Sequence, residues 1–272
     1  MSTFDFNGNQ VYYEVYGQGK PLVILNGIMM STKSWVKFIP SFSKDNMLIL
    51  VDLLDQGQSQ KMSHNYDQSV QADLVLALAD HLKLEKLNIM GISYGGEVSL
   101  KYAIKYGDRL DRLMLFNTTA ATEEWLREIG RGWNKVGLTR DGEAYYSVTI
   151  PVIYSPEFYI KNIDWMTNRK KTLVPLFSNP QFLDAMQRLV ISSDYHDVRS
   201  DLDKITAPTL IVGCDKDCLV PLQEQEYLNK HIKNSTLVVI RDSGHASMYE
   251  KPLVFSSLVL GFVNCLDDKF EI

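Results

Sequence analysis

The stretch Lys86-Leu87-Asn88-Ile89-Met90-Gly91-Ile92-Ser93-Tyr94-Gly95-Gly96 decides how the rest of the chain is read. Lys86 to Met90 is a short apolar run of the kind that forms a buried strand, and Gly96 to Lys105 has helical character. Between them stands the pattern G-x-S-x-G. A serine on a sharp strand-to-helix turn takes a strained backbone, so the residues two before and two after it must be small. Gly91 and Gly95 meet that demand. Such a turn lifts the Ser93 hydroxyl above a sheet and aims the Tyr94 amide at the same point from a helix N-terminus. An unactivated serine is a poor nucleophile, so the remainder of the chain has to supply a base and an orienting acid.

Outward from this turn, the chain alternates strand and helix. Val11 to Tyr16 is β-branched and aromatic and ends at Gly17-Gln18-Gly19, which predicts an early hairpin strand. Pro21 to Leu25 and Asn46 to Val51 predict strands buried on both faces. A helix is expected from about Ser31 to Ser43, with Trp35, Phe38 and Phe42 at helical spacing. Another is expected from Gln68 to Leu84, through Val70, Leu74, Leu78 and Leu82. Downstream, Leu110 to Phe116, Thr209 to Gly213 and Thr236 to Ile240 predict strands, with helices from about Leu222 to Lys230 and Leu253 to Cys265. Alternation with strands this apolar argues an α/β fold with a mostly parallel central sheet flanked by helices. The alternation breaks between Thr118 and Asp203, where the pattern is helical and irregular and three of the four tryptophans fall (Trp125, Trp133, Trp165). Residues 118–203 are therefore expected to be a helical insertion into one sheet domain made of residues 1–117 and 204–272.

Bulk properties narrow the function classes. A chain of 272 residues with 45% hydrophobic and 22% charged side chains is ordinary for a soluble globular protein. A net charge of −5 gives no electrostatic reason to expect nucleic acid or an anionic membrane as a partner. Met1 to Phe6 has no basic segment followed by an apolar one, so no secretory signal is expected, and no run approaches a membrane span. Cys214, Cys218 and Cys265 form an odd, sparse set with no histidine at a ligand spacing. That favours free thiols in a reducing cytoplasm over a metal site, and neither metal nor cofactor is expected.

With these residues in view, the chain resembles the α/β-hydrolase superfamily over nearly its whole length. The family's order of nucleophile, acid and histidine is matched by Ser93, by the turn Gly213-Cys214-Asp215-Lys216-Asp217-Cys218-Leu219-Val220-Pro221, and by Arg241-Asp242-Ser243-Gly244-His245. Two aspartates compete for the acid. Counting back from Pro221 favours Asp217 over Asp215, whereas counting forward from Gly213 fits neither cleanly. The resemblance implies that Ser93 attacks an acyl carbonyl, His245 relays the proton and Asp217 orients the imidazole. It also implies two oxyanion donors, the amides of Tyr94 and of Ile28, the latter after Leu25-Asn26-Gly27. Asn26 stands where the family usually has histidine. Asp52-Leu53-Leu54-Asp55-Gln56-Gly57-Gln58-Ser59 looks like a structural turn of the family with Asp55 in place of its first glycine.

The same resemblance makes the insertion a cap over the active site. Its aromatic and apolar residues, among them Tyr145, Ile150, Ile153, Tyr154, Trp165 and Phe177, suit an apolar acyl chain or ring, although most are expected to pack cap on core. Met29 and Met30 either border the acyl pocket or belong to the core. No arginine cluster for an anionic substrate is evident; Arg127, Arg131 and Arg140 fall early in the insertion. His81, His231, His64 and His196 are expected at the surface. The expected activity is hydrolysis of an apolar carboxylic ester, lactone or thioester. Alternatives are acyl transfer to an alcohol, since Asn26-Gly27 and the Asp52 to Ser59 turn resemble an acyltransferase of rhamnolipid precursors, and a non-catalytic ligand receptor. Haloalkane dehalogenases and epoxide hydrolases of this fold attack with aspartate, and position 93 is serine. Substrate identity and oligomeric state stay open.

Overall fold

The computed structural model describes residues 2–265. Eight strands form one sheet: β1 (Ser2–Phe6), β2 (Asn9–Tyr16), β3 (Lys20–Leu25), β4 (Asn46–Val51), β5 (Leu87–Ile92), β6 (Leu110–Phe116), β7 (Thr209–Cys214) and β8 (Ser235–Ile240), in the order β1-β2-β4-β3-β5-β6-β7-β8. β1 and β2 pair antiparallel through a tight turn at Asn7-Gly8, both at positive φ, and β2 runs antiparallel to β4. From β4 to β8 every pairing is parallel.

The apolar strand runs are explained by two-sided burial. Along β3, Leu22 and Ile24 face one core while Val23 and Leu25 face the other. β4, β5 and β6 divide in the same way: Leu48, Met90 and Met114 point to one side, and Ile49, Ile89 and Leu113 to the other. One face is covered by α2 (Ser69–His81) and α3 (Tyr94–Lys105), joined by Leu228 of α9 (Leu222–His231). The opposite face is covered by α1 (Ile39–Phe42) and α11 (Pro252–Val263), where Trp35, Phe38, Phe42 and Phe255 pack as an aromatic group.

Between β6 and β7 the chain leaves the sheet and forms α4 (Glu124–Gly137), α5 (Gly142–Thr149), α6 (Pro156–Lys161), α7 (Ile163–Phe177) and α8 (Pro180–Ser193). These helices share an apolar cluster that includes Trp133, Tyr145, Tyr146, Met166 and Phe177. An isolated bridge between Ala121 and Asp197 closes the neck of the insertion. α8 also contributes Ala185, Met186 and Leu189 to the sheet's own core, so the insertion is seated on the sheet domain. α10 (Ser247–Glu250) precedes α11.

The helix expected from Ser31 to Ser43 is not continuous. It is a 3-10 turn at Thr32–Trp35 followed by the single turn α1. Pro40 is the cause: it has no N–H, and its ring excludes a helical carbonyl at Val36, so a helix can begin at Ile39 but cannot run through to it.

The parallel order sets the site. β4 lies on one side of β3 and β5 on the other, so the chain reverses its direction of winding at β3/β5. A crevice opens beyond the carboxyl ends of strands at such a point. Leu25 pairs with Gly91, which brings the loop after β3 and the turn after β5 out side by side.

Candidate active site

Ser93 stands between β5 and α3 with φ 54° and ψ −121°. For a residue with a Cβ this backbone costs about 1–3 kcal/mol and persists only where its surroundings hold it. They do so from three sides: the Ser93 amide donates to Phe116 O at 2.9 Å, and Ser93 O accepts from the amides of Gly96 (2.8 Å) and Glu97 (3.1 Å). A methyl group at Gly91 would collide with Gly95 O and Ser99 Oγ, and one at Gly95 would collide with Leu25 O. Both glycines are therefore required by close approach of backbone. The Tyr94 amide lies in the first turn of α3, where no preceding helical carbonyl can accept it.

The loop after β3 is built by side chains. Asn26 is buried; its Nδ2 donates to Val51 O (2.8 Å) and Gln56 Oε1 (3.3 Å), and its Oδ1 accepts from Trp35 Nε1 (2.7 Å). Gln56 Nε2 in turn donates to Gly27 O (3.0 Å). Asn26 thus anchors the loop from below, and Gly27 and Ile28 face the cleft beside Ser93. The neighbouring Asp52 to Ser59 turn is structural here too: Asp52 accepts from the amides of Thr32 (2.7 Å) and Gln58 (2.8 Å). Asp55, at φ 68°, pairs its buried carboxylate with Arg188 of α8 through Nε (3.0 Å) and Nη2 (2.6 Å).

His245, on the loop after β8, places Nδ1 2.7 Å from Asp217 Oδ2. A carboxylate can only accept, so Nδ1 carries the proton and the lone pair of Nε2 is free to take another. The Asp217 side chain is fully buried. Its Oδ1 accepts from the amides of Leu219 and Val220, both at 2.9 Å, and its Oδ2 also accepts from Asn117 Nδ2 at 2.9 Å. Asp215 points elsewhere: it accepts from the Asp242 amide (2.7 Å) and faces Arg241 (3.6 Å). Asn117, at φ 48° just past β6, went unread in the sequence although it holds the Asp217 carboxylate; an asparagine directly after an apolar strand is the signal that was available.

A cleft of about 1130 Å³, its open mouth included, joins these groups. Ser93, His245, Tyr94 and Ile28 line its floor, and Trp133, Ile150, Ile153, Tyr154, Leu173 and Phe177 of the insertion form its roof. Met29 and Met30 both line it. The histidine loop is tied to that roof: Ser155 donates to Glu250 through its amide (2.9 Å) and hydroxyl (2.6 Å), and the Ala246 amide donates to Ile153 O (3.1 Å).

Other expectations are redirected. His196 is not at the surface. It is 2% exposed, with Nε2 3.1 Å from Thr119 O and Nδ1 without a partner, and burial pushes its pKa down to about 4. It does not line the cleft. Glu97 is also buried and does line it; desolvation raises its carboxyl to about 8, although Gln68 Nε2 donates to it at 2.6 Å. Two arginines, Arg127 and Arg169, reach the cleft wall. Among the described residues no three or more His, Cys, Asp or Glu side chains cluster so as to hold a metal ion, and no helix is long and apolar enough to cross a membrane.

Residues 20–252 match the family model of the alpha/beta hydrolase fold. The chain belongs to the α/β-hydrolase family. Its likeness to MGS-M2, an alpha/beta hydrolase enzyme from a Medee basin deep-sea metagenome library, is 47% identity at a TM-score of 0.98, covering 100% of both chains. The AB hydrolase superfamily protein YisY of Bacillus subtilis is 26% identical over 258 residues, spanning 93% of this chain and 95% of YisY. The enol-lactonase of Burkholderia xenovorans LB400 has the same fold, with a TM-score of 0.85 at 20% identity, covering 97% of this α/β hydrolase and 100% of the lactonase.

Proposed function

We propose that this α/β hydrolase is a serine hydrolase of carboxylic esters, including lactones and thioesters, acting through an acyl-enzyme on Ser93. The observation that carries the reading is the 2.7 Å bond from His245 Nδ1 to a fully buried Asp217 carboxylate, with His245 and the strained Ser93 on one cleft floor. In this reading His245 Nε2 takes the proton of Ser93 Oγ as it attacks the acyl carbon, then returns a proton to the departing oxygen or sulfur. The amides of Tyr94 and Ile28 receive the negative charge on the carbonyl oxygen. Water, activated by the same imidazole, then releases the acid and restores Ser93.

Residues 118–203 act as the cap in this scheme. Their apolar contribution to the roof, with Met29 and Met30 below, favours an acyl group or leaving group with an apolar body. The resemblance of the fold to an enol-lactonase agrees with ester-type chemistry.

The test is a fluorophosphonate probe together with a chain-length panel of p-nitrophenyl esters. Wild type is expected to be labelled and to turn over, and Ser93→Ala to lose both. Labelling that persists in Ser93→Ala, or a wild type inert to probe and panel alike, would overturn the assignment.

A further inference from the structure

The cleft wall is apolar except at a few points, and one of them has no counterpart. Arg127 is occupied: its Nε and Nη2 donate to Asp194 O (3.1 and 2.9 Å), and Nη2 also donates to Thr122 O (2.7 Å). Arg169, on α7, is different. Among the described residues no carboxylate pairs with it, and its Nε is buried without a hydrogen-bond partner. Aromatic rings hold its guanidinium instead: Tyr249 at 4.6 Å, Trp165 at 5.3 Å and Tyr154 at 6.0 Å from the ring centres. Tyr249 lies one turn beyond His245, so this cation sits on the histidine side of the cleft.

Burial opposes the charge of Arg169, and the adjacent Tyr154 and Tyr249 more than offset it, so a charged guanidinium is held at the cleft with no carboxylate beside it among the described residues. The Tyr249 and Tyr154 side chains also hydrogen-bond to the guanidinium and help fix its plane at the cleft wall, where no carboxylate among the described residues pairs with it. Paired N–H groups in one plane match the two oxygens of a carboxylate. The remaining acids of the cleft do not answer the charge: burial raises the pKa of Glu97 to about 8 and also raises that of Asp194.

We propose that Arg169 is a carboxylate-binding subsite, so that the ester cleaved at Ser93 carries a free carboxylate on an apolar body. This deepens the proposed function and rests on it for the site of cleavage.

The experiment compares charged with neutral esters as a ratio of kcat/KM. One pair is p-nitrophenyl hemiglutarate against p-nitrophenyl hexanoate, with the charge on the acyl group. The other is 3-carboxy-4-nitrophenyl butyrate against p-nitrophenyl butyrate, with the charge on the leaving group. In at least one pair, Arg169→Gln is expected to lower the charged-to-neutral ratio roughly 10- to 100-fold, and Arg169→Lys to lower it less. A purely structural arginine would lower both members together, so an unchanged ratio in both pairs overturns the subsite. If no ester of either kind is cleaved, the hydrolase reading fails separately. Calorimetry of glutarate binding to Ser93→Ala then decides the subsite: binding lost on adding Arg169→Gln supports it, and binding unaffected by that change, or absent throughout, overturns it.

Discussion

At the scale of single residues, the site depends on atoms that have no room to move. Asp217 receives hydrogen bonds at both oxygens, so its position is set before His245 arrives. Asp217→Asn keeps the shape but presents an amide where Oδ2 accepts from both Asn117 and His245. The imidazole then loses the partner that fixes its tautomer, and kcat is expected to fall about 10⁴-fold with a smaller change in KM. Steady-state kinetics on a p-nitrophenyl ester checks this, and an unchanged kcat would remove Asp217 from the mechanism. Gly95→Ala is expected to be harsher on structure, since its methyl would enter Leu25 O, a backbone atom of a central strand. Soluble yield and probe labelling should both drop. Gly91, Ser93 and Gly95 were legible in sequence because sterics within five residues dictate them. Which of Asp217 and Asp215 meets His245 was legible only in part, because the contact is made by a residue distant along the chain. Arg169 was not legible at all: its meaning lies in what is missing around it, and spacing does not record an absent counter-ion.

At the scale of elements, two polar contacts are among those that hold the insertion to the sheet domain. One is Ser155 with Glu250, next to the histidine loop. The other is Asp55 with Arg188, whose side chains are 0% and 15% exposed. Arg188→Met leaves the Asp55 charge buried and unpaired, which should destabilise the fold by about 3–5 kcal/mol in a urea melt. Adding Asp55→Gly should return part of that loss, because glycine removes the charge and also accepts the φ of 68°. Additive losses in the double variant would rule out the coupling. The sequence marked Asp55 as replacing a glycine but could not show why. The answer comes from α8, 133 positions later. The broken helix at Pro40, in contrast, was misread although its signal is local: apolar spacing through Trp35, Phe38 and Phe42 suggested continuity, and backbone chemistry overrules spacing at a proline.

At the scale of the whole molecule, stability should follow two buried groups of opposite sign. The His196 pKa is depressed to about 4, so below about 6.5 the unfolded chain binds the proton that the folded one refuses. Stability therefore rises with pH between those values. Glu97 is raised to about 8, so above the ordinary glutamate range the folded chain holds a proton that the unfolded one has released. Its stabilising effect is complete at low pH and is lost as pH climbs toward 8. The contributions oppose each other in mildly acid solution, and above about 6.5 only Glu97 of the two still changes stability. Glu97→Gln is thus expected to flatten the decline in melting temperature between pH 6.5 and 8.5; an identical decline would exclude Glu97 as its source. The mostly parallel sheet was legible because two-sided burial leaves long apolar runs, whereas the strand order was not, because apolar runs do not say which strands are neighbours. The arrangement of α4 to α8 was not, because those helices pack on one another with no strand to impose a register.

The neck of the insertion has a consequence for descent. The chain departs after Phe116 and returns before Val212, and these residues are hydrogen-bonded neighbours in the sheet, with Ala121 and Asp197 bridged just above. The ends of the excursion are therefore held together whatever lies between them, and each doubling of its length costs only about 0.6 kcal/mol in closure entropy. The excursion can be exchanged, lengthened or rebuilt while Ser93, His245 and Asp217, which all lie outside it, keep their places on the sheet. Reactivity and choice of substrate are in this way separately heritable within one chain.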